Sequence, residues 1–245
     1  MWARAIALMI KSDGQDKQVQ DMLRCEALTH LVRAAQCGST ARRAPLVLDA
    51  ARALWNVGLP MMGSSVSRRA LFGFTKAMLG HLADAGERDA LAFRVQLFVL
   101  LFECYADRAA WDEGLRACND AFAHVPTSLQ RPLWQWRVVF MSKLGKSVLD
   151  GMAKMKESDA VLQARVWATL ARAATDRRQQ LSAFSKAVDT LEGHFERVDY
   201  VVELAEWLLA HQLPKRDAAD ALASALDLYL DVEENAAAEA AAAAG

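Results

Sequence analysis

The chain is short of the residues that punctuate and crosslink folds. Of its 245 residues only 4 are Cys, 5 Pro and 12 Gly. The cysteines Cys25, Cys37, Cys104 and Cys118 form no C-x-x-C pair and match no zinc-finger spacing, so neither a disulfide scaffold nor a structural zinc is expected. No run approaches the ~20 apolar residues of a membrane helix. The apolar stretch from Ala5 to Ile10 is shorter than most signal-peptide cores, and Val95 to Phe102 is broken by Gln96. An excess of one charge is missing as well. With 29 basic against 30 acidic residues the net charge is −1, which gives no global electrostatic case for nucleic acid or an acidic membrane. Thr and Ile, which favour strands, are scarce.

What is present is alanine, 47 residues of it, within a chain that is 53% hydrophobic and 24% charged. That composition excludes disorder and predicts an all-α protein. Helices are expected at 2–11, 17–36, 45–59, 67–84, 88–107, 109–123, 129–144, 147–157, 159–175, 178–192, 197–211 and 216–232. Asp16, Ser67, Ser128, Ser158 and Asp176 stand where N-caps are needed. Pro45, Pro132 and Pro214 lie near helix starts, and Pro60 and Pro126 after helix ends. Gly38, Gly86, Gly145 and Gly193 fall at the junctions, where a left-handed residue ends a helix.

Internal repetition is the informative signal. Bulky or apolar residues recur at i, i+3 and i+7 in Phe98/Leu101/Tyr105, Leu133/Trp136/Phe140, Trp167/Leu170/Ala174 and Val201/Leu204/Leu208, with first members 35, 34 and 34 residues apart. Each such helix is followed by a second one. Small residues occur there, Gly114, Cys118 and Ala121 before Pro126 in one unit, Ala183 and Ala187 in another. The period and the alternation of bulky first helices with small-residue second helices resemble the tetratricopeptide repeat. The match is degenerate: Arg137 and Leu149 stand where small residues are usual, and the last turn, His211 to Pro214, is long. An earlier pair at about 45–84 carries Leu48/Ala51/Trp55 at the same spacing. The fold expected is a solenoid of antiparallel helical hairpins. Residues 1–40 form N-terminal helices of a partial repeat, 41–232 the array, and 233–245 an Ala-rich low-complexity tail. A hairpin of this kind cannot cover its apolar stripe alone, so contacts are local and partners bind on the surface lined by first helices. A compact bundle remains the other reading. The uncapped N-terminal helix and the tail suggest a piece of a longer array.

Catalytic and metal motifs are not found. The five histidines, His30, His81, His124, His194 and His211, make no H-E-x-x-H or i, i+4 pair. Gly145-Lys146-Ser147 resembles the end of a P-loop, but Phe140 stands where its first glycine belongs. No G-x-S-x-G elbow or dinucleotide fingerprint occurs, so no enzyme activity and no cofactor is expected. Trp134, Trp167 and Trp207 are read as core residues, and an Asp at Trp167 is expected to unfold the array locally. One segment is sharper. Between Asp120 and Asp150 there is no acidic residue, while Arg131, Trp134, Arg137, Lys143 and Lys146 occur together. A basic amphipathic helix with bulky anchors fits calmodulin or an anionic surface; the alternative is simply the first helix of the second repeat. Arg42-Arg43, Arg68-Arg69 and Arg177-Arg178 could meet the acidic tails of tubulin, with solvated loop charges as the alternative.

Specific words then carry a family resemblance. Phe102-Glu103-Cys104-Tyr105-Ala106-Asp107, with Trp111 and Gly114-Leu115, resembles the tetratricopeptide region of the cilia- and flagella-associated protein forty-six family. So do Leu54-Trp55-Asn56 with Leu59-Pro60, and Val198-Asp199-Tyr200 running to Glu206-Trp207-Leu208. The resemblance covers about 45–232. It implies a non-enzymatic scaffold in the axoneme of motile cilia, in a projection of the central-pair microtubules that supports the regulation of beating. The partners it implies are other large central-apparatus proteins, calmodulin and microtubules. A general cytosolic adaptor binding peptide motifs is the alternative.

Overall fold

The computed structural model describes residues 2–11, 14–84, 91–148, 159–191 and 195–243, by side chain as far as Leu230. Among these residues every regular element is helical. They are α1 (Trp2–Leu8), α2 (Lys17–Thr40), α3 (Ala44–Met62), α4 (Ser65–Asp84), α5 (Leu91–Asp107), α6 (Trp111–His124), a 3-10 turn at Thr127–Leu129, α7 (Arg131–Lys143), α8 (Ala160–Ala173), α9 (Arg177–Thr190), α10 (Arg197–Ala210) and α11 (Lys215–Ala243). The chain divides into two units, Met1–Phe140 and Met141–Gly245. In each, helices adjacent in sequence pack against one another. This is the hairpin-by-hairpin construction of a helical-repeat protein, as the 34-residue spacing predicts. The expected 147–157 helix lies outside the described residues from 149 onward, and Ser147 and Val148 are loop. Leu149, Ser158, Gly86, Gly193 and His194 also lie outside them.

Several helix ends follow the sequence signals. Asp16 accepts from the Gln18 amide, and Asp176 from that of Gln179. Asp159 caps α8 by accepting from the Val161 and Leu162 amides at 3.0 and 3.3 Å. Gly145 is left-handed (φ 65°) just past α7. Other signals are overruled by packing. Pro60 lies inside α3, two residues before its last one, and the helix forgoes the bond an amide there would give the Asn56 carbonyl. Ser67 is buried within α4 and donates its hydroxyl to Asp21 of α2 at 2.7 Å. Ser128 sits in the 3-10 turn. Gly38 is inside α2, where its bare Cα lets Val47 of α3 approach: an added Cβ would lie 3.1 Å from the Val47 Cγ2. The left-handed residues that end α2, α5 and α10 are Arg42, Ala109 and Gln212, not glycines.

The unit 1 core is built from leucines and aromatics. Phe102, Phe140, Leu28, Leu54, Leu71, Leu82, Leu97 and Leu133 are all but inaccessible. Phe140 meets Phe102 edge-on at 5.8 Å and lies beside Trp136 and Trp111 at 5.6 and 6.5 Å. Its ring lies against Gly114 of α6, where the small residue predicted from the repeat admits it. Unit 2 repeats the pattern with smaller parts. Ala183 and Ala187 of α9 are buried, as are Ala164, Ala168 and Ala171 of α8. Gln180 links three helices: its Nε2 donates to the Ala174 carbonyl at the end of α8, and its Oε1 accepts from the Trp207 indole of α10.

Candidate functional site

The repeat positions divide into two groups. Leu101, Tyr105, Gly114, Ala121, Leu170, Ala183, Ala187 and Leu208 are buried, as expected of packing residues. Phe98, Trp136, Trp167 and Leu204 are half-buried, and Pro126 is exposed beside the 3-10 turn. The three tryptophans expected in the core are half-buried at seams between helices. Trp134 lies 4.9 Å from Phe122 of α6. Trp207 meets Phe184 at 6.1 Å and stacks on His211 at 4.3 Å. Trp167 lines a small cavity of about 190 Å³, with the Lys186 ammonium 4.5 Å above its ring. An Asp there would stand near the Lys186 ammonium at a half-buried position, so the argument from an unpaired buried charge is weaker there. Phe140 is the position where that argument applies.

The larger openings lie beside first helices. In unit 1 a groove of about 540 Å³ has Trp55 and Met62 on one side and Val95, Gln96, Val99, Leu100 and Glu103 of α5 on the other, with Pro132 at its edge. Its polar wall is an ion cluster. Arg68 of α4 forks onto Asp107, Nε to Oδ2 at 2.5 Å and Nη2 to Oδ1 at 2.9 Å. Its Nη1 donates to the Met62 carbonyl at 2.8 Å and lies 3.5 Å from Glu103. The hydrogen bond that Arg68 donates to Asp107 raises the Arg68 pKa. Burial pushes the Glu103 carboxyl up, with Arg68 pulling the other way. Glu103 thus faces the groove as a partly desolvated carboxylate with one cation at ion-pair distance. In unit 2 an opening of about 410 Å³ is lined by Arg172 and Ala171 of α8, Phe184 of α9, and Glu203, Glu206, Trp207 and His211 near α10. Arg172 and Glu203 close it from one side through a forked pair, both bonds 2.6 Å. These openings have the width and mixed lining suited to a side chain or a peptide segment.

The basic segment is only partly surface. Arg131, Lys143 and Lys146 are exposed, but Leu133 and Phe140 of the same helix are sealed in the core. Arg137 stacks over Trp134 and Phe122 at 5.1 and 5.5 Å. Arg68 is likewise withdrawn from any role as a solvated arginine pair, whereas Arg42, Arg43, Arg69, Arg177 and Arg178 are exposed. Sequence reasoning missed Arg68, Glu103 and Gln96 as groove residues. The only signal was that Glu103 and Asp107 lie four apart on one helix.

Nucleophiles are disarmed where they are buried. The Cys104 and Cys118 thiols are pushed up to about 12, chiefly by desolvation, and burial also raises Cys25. Among the described residues no three His, Cys, Asp or Glu side chains cluster to hold a metal, and no helix is long and apolar enough to cross a membrane.

No family model matches the chain. A curated relative does: cilia- and flagella-associated protein 46 of Chlamydomonas reinhardtii is 31% identical over 233 residues, 94% of this chain. The chain spans 8% of that relative's length. The aligned stretch takes in both helical-hairpin units, and the chain belongs to the family of cilia- and flagella-associated protein 46.

Proposed function

We propose that the chain is a non-enzymatic scaffold segment of the motile-cilium axoneme, part of a projection on the central-pair microtubules that supports the regulation of beating. The 31% identity over nearly the whole chain to a protein named for cilia and flagella carries this reading. The tetratricopeptide-like hairpins support it physically, because stacked hairpins present side chains at fixed intervals without needing a reactive centre. Other large central-apparatus proteins are the proposed occupants of the first-helix grooves, with microtubules as a further contact. The grooves themselves also suit the second reading, a cytosolic adaptor for peptide motifs. Localisation decides between them. A tagged full-length protein in a flagellated cell is expected to fractionate with the axoneme after detergent removes the membrane. A protein that stays wholly in the detergent-soluble fraction overturns the ciliary reading and leaves the adaptor.

Calmodulin is proposed as a partner through 129–147, and the burial of Leu133 and Phe140 sets a condition on it. A calmodulin-bound helix presents its bulky anchors to the partner. The free 129–147 peptide is therefore expected to bind calmodulin with calcium, while the folded chain binds at least about tenfold more weakly, since opening a packed helix is costly. Titration calorimetry on both reads this. A peptide with no binding at micromolar concentration removes calmodulin from the scheme.

A further inference from the structure

The polar wall of the unit 1 groove is short of positive charge. Arg68 is committed elsewhere: its Nε and Nη2 donate to Asp107, and its Nη1 to the Met62 carbonyl. Glu103 is left with an Nη1 contact of 3.5 Å and, among the described residues, no hydrogen-bond donor. Two carboxylates thus share one guanidinium. The charges that act on Glu103 are Arg68, which favours its ionised form, and Asp107, which opposes it. Glu103 is also the member of the cluster most open to the groove, its side chain 33% exposed against 21% for Arg68 and 11% for Asp107.

The rest of the groove is shaped around that carboxylate. On α5 its lining reads Gln96, Val99, Leu100 and Glu103, the i, i+3, i+4, i+7 stripe of one helix side. Polar groups stand at the two ends and apolar ones between, with Val99 one turn, about 6 Å along the axis, before Glu103. Trp55 and Met62 of α3 form the other side of the cavity of about 540 Å³. A trough that is apolar along its length and acidic at one end suits a long side chain with an apolar stem and a cationic head. A neutral or acidic occupant would dehydrate Glu103 and give it no partner, which is costly.

We propose that this groove takes an arginine side chain from a segment of a partner protein, with the guanidinium on Glu103 and the stem along Val99. This rests on the reading of the first-helix grooves as protein-binding sites, and names what this one selects. Arginine fits better than lysine, because its guanidinium is the more weakly hydrated head, forks onto a carboxylate and stacks on an aromatic face such as that of Trp55. Fractionation with the axoneme does not depend on this groove, so the two readings fail separately.

Random heptapeptides displayed on phage are selected in parallel on the full chain and on its Glu103→Gln variant. Arginine is expected at one fixed position among the peptides from the parent, and not among those from the variant. The tightest parent-selected peptide is then synthesised with arginine, lysine or citrulline at that position, citrulline having the shape of arginine without its charge. By titration calorimetry, citrulline is expected to weaken binding to the parent about tenfold or more, with lysine between the two. On Glu103→Gln the arginine peptide is expected to fall to the level of the citrulline one. No arginine preference on the parent, or a preference that persists on Glu103→Gln, overturns the proposal. So does lysine binding as tightly as arginine. The variant removes a partly desolvated charge and is expected to keep the circular dichroism spectrum of the parent; the citrulline comparison on the parent stands without it. N-acetyl-arginine amide binding as tightly as the peptide would assign the groove to a small cation, and would overturn the proposal too.

Discussion

Replacing Gly114 by alanine is expected to destabilise unit 1, although alanine is the better helix former by ~1 kcal/mol. The new methyl would sit 2.6 Å from Cε1 and 2.7 Å from Cζ of Phe140. That ring cannot step aside, because Phe140 is fully buried among Phe102, Trp111 and Trp136. Overpacking of this kind costs about 1–3 kcal/mol, and it exceeds the propensity gain. Removing the ring instead, by Phe140→Ala, leaves a cavity and is expected to cost about 3–5 kcal/mol. The two sites are one interlock, so Gly114→Ala and Phe140→Leu together should lose less than the sum of their separate losses. Urea unfolding of the four chains, followed by tryptophan fluorescence, measures this. A Gly114→Ala chain more stable than its parent, or strictly additive losses, would refute the interlock.

Arg68→Ala is the second large effect. It strips Asp107, whose side chain is 11% exposed, of both forked bonds, and leaves Glu103 in a half-desolvated wall with no cation. Breaking a buried pair from one side costs about 3–5 kcal/mol. With the Arg68 side chain 21% exposed, about 2–3 kcal/mol is expected here. Arg68→Lys should recover only part of this, since an ammonium cannot fork onto a carboxylate. The pH dependence follows from Glu103. Burial already raises its pKa, and Arg68 opposes that rise, so removing Arg68 lets it climb further. A raised acid is more readily protonated in the folded chain than in the unfolded one. The penalty of Arg68→Ala is therefore greatest at neutral pH, and shrinks as the pH falls through the raised Glu103 value. A gap in urea midpoint that does not shrink on acidification would show that the Glu103 carboxylate is solvated.

The contrast between these residues shows what a linear reading can see. The Phe140–Gly114 interlock was legible, because a bulky residue in one helix and a small one in the preceding helix both fell in the 34-residue register. The caps at Asp16 and Asp176 were legible because a cap acts within three residues of itself. Ser67 looked like such a cap, yet its hydroxyl serves Asp21, 46 residues away, on a helix that crosses it. Arg68 looked like half of an exposed arginine pair, yet its partner is 39 residues on. Pro60 looked like a stop signal, but α3 ran two residues past it. In each case local chemistry was ambiguous, and a distant helix decided the outcome. The groove beside Glu103 was invisible for the same reason: its lining comes from four helices whose distance no periodicity encodes.

The two forked arginines finally differ in what surrounds them. Arg68 and Asp107 tie α4 to α5 from within a wall of low accessibility, whereas the Arg172 side chain, which ties α8 to α10 through Glu203, is 54% exposed. Dissolved ions screen the second pair and hardly reach the first. The coupling between neighbouring hairpins is thus of two kinds along one polypeptide, one insulated from the ionic milieu and one set by it. A rise in salt would loosen the cooperativity of unit 2 while leaving unit 1 melting as a block.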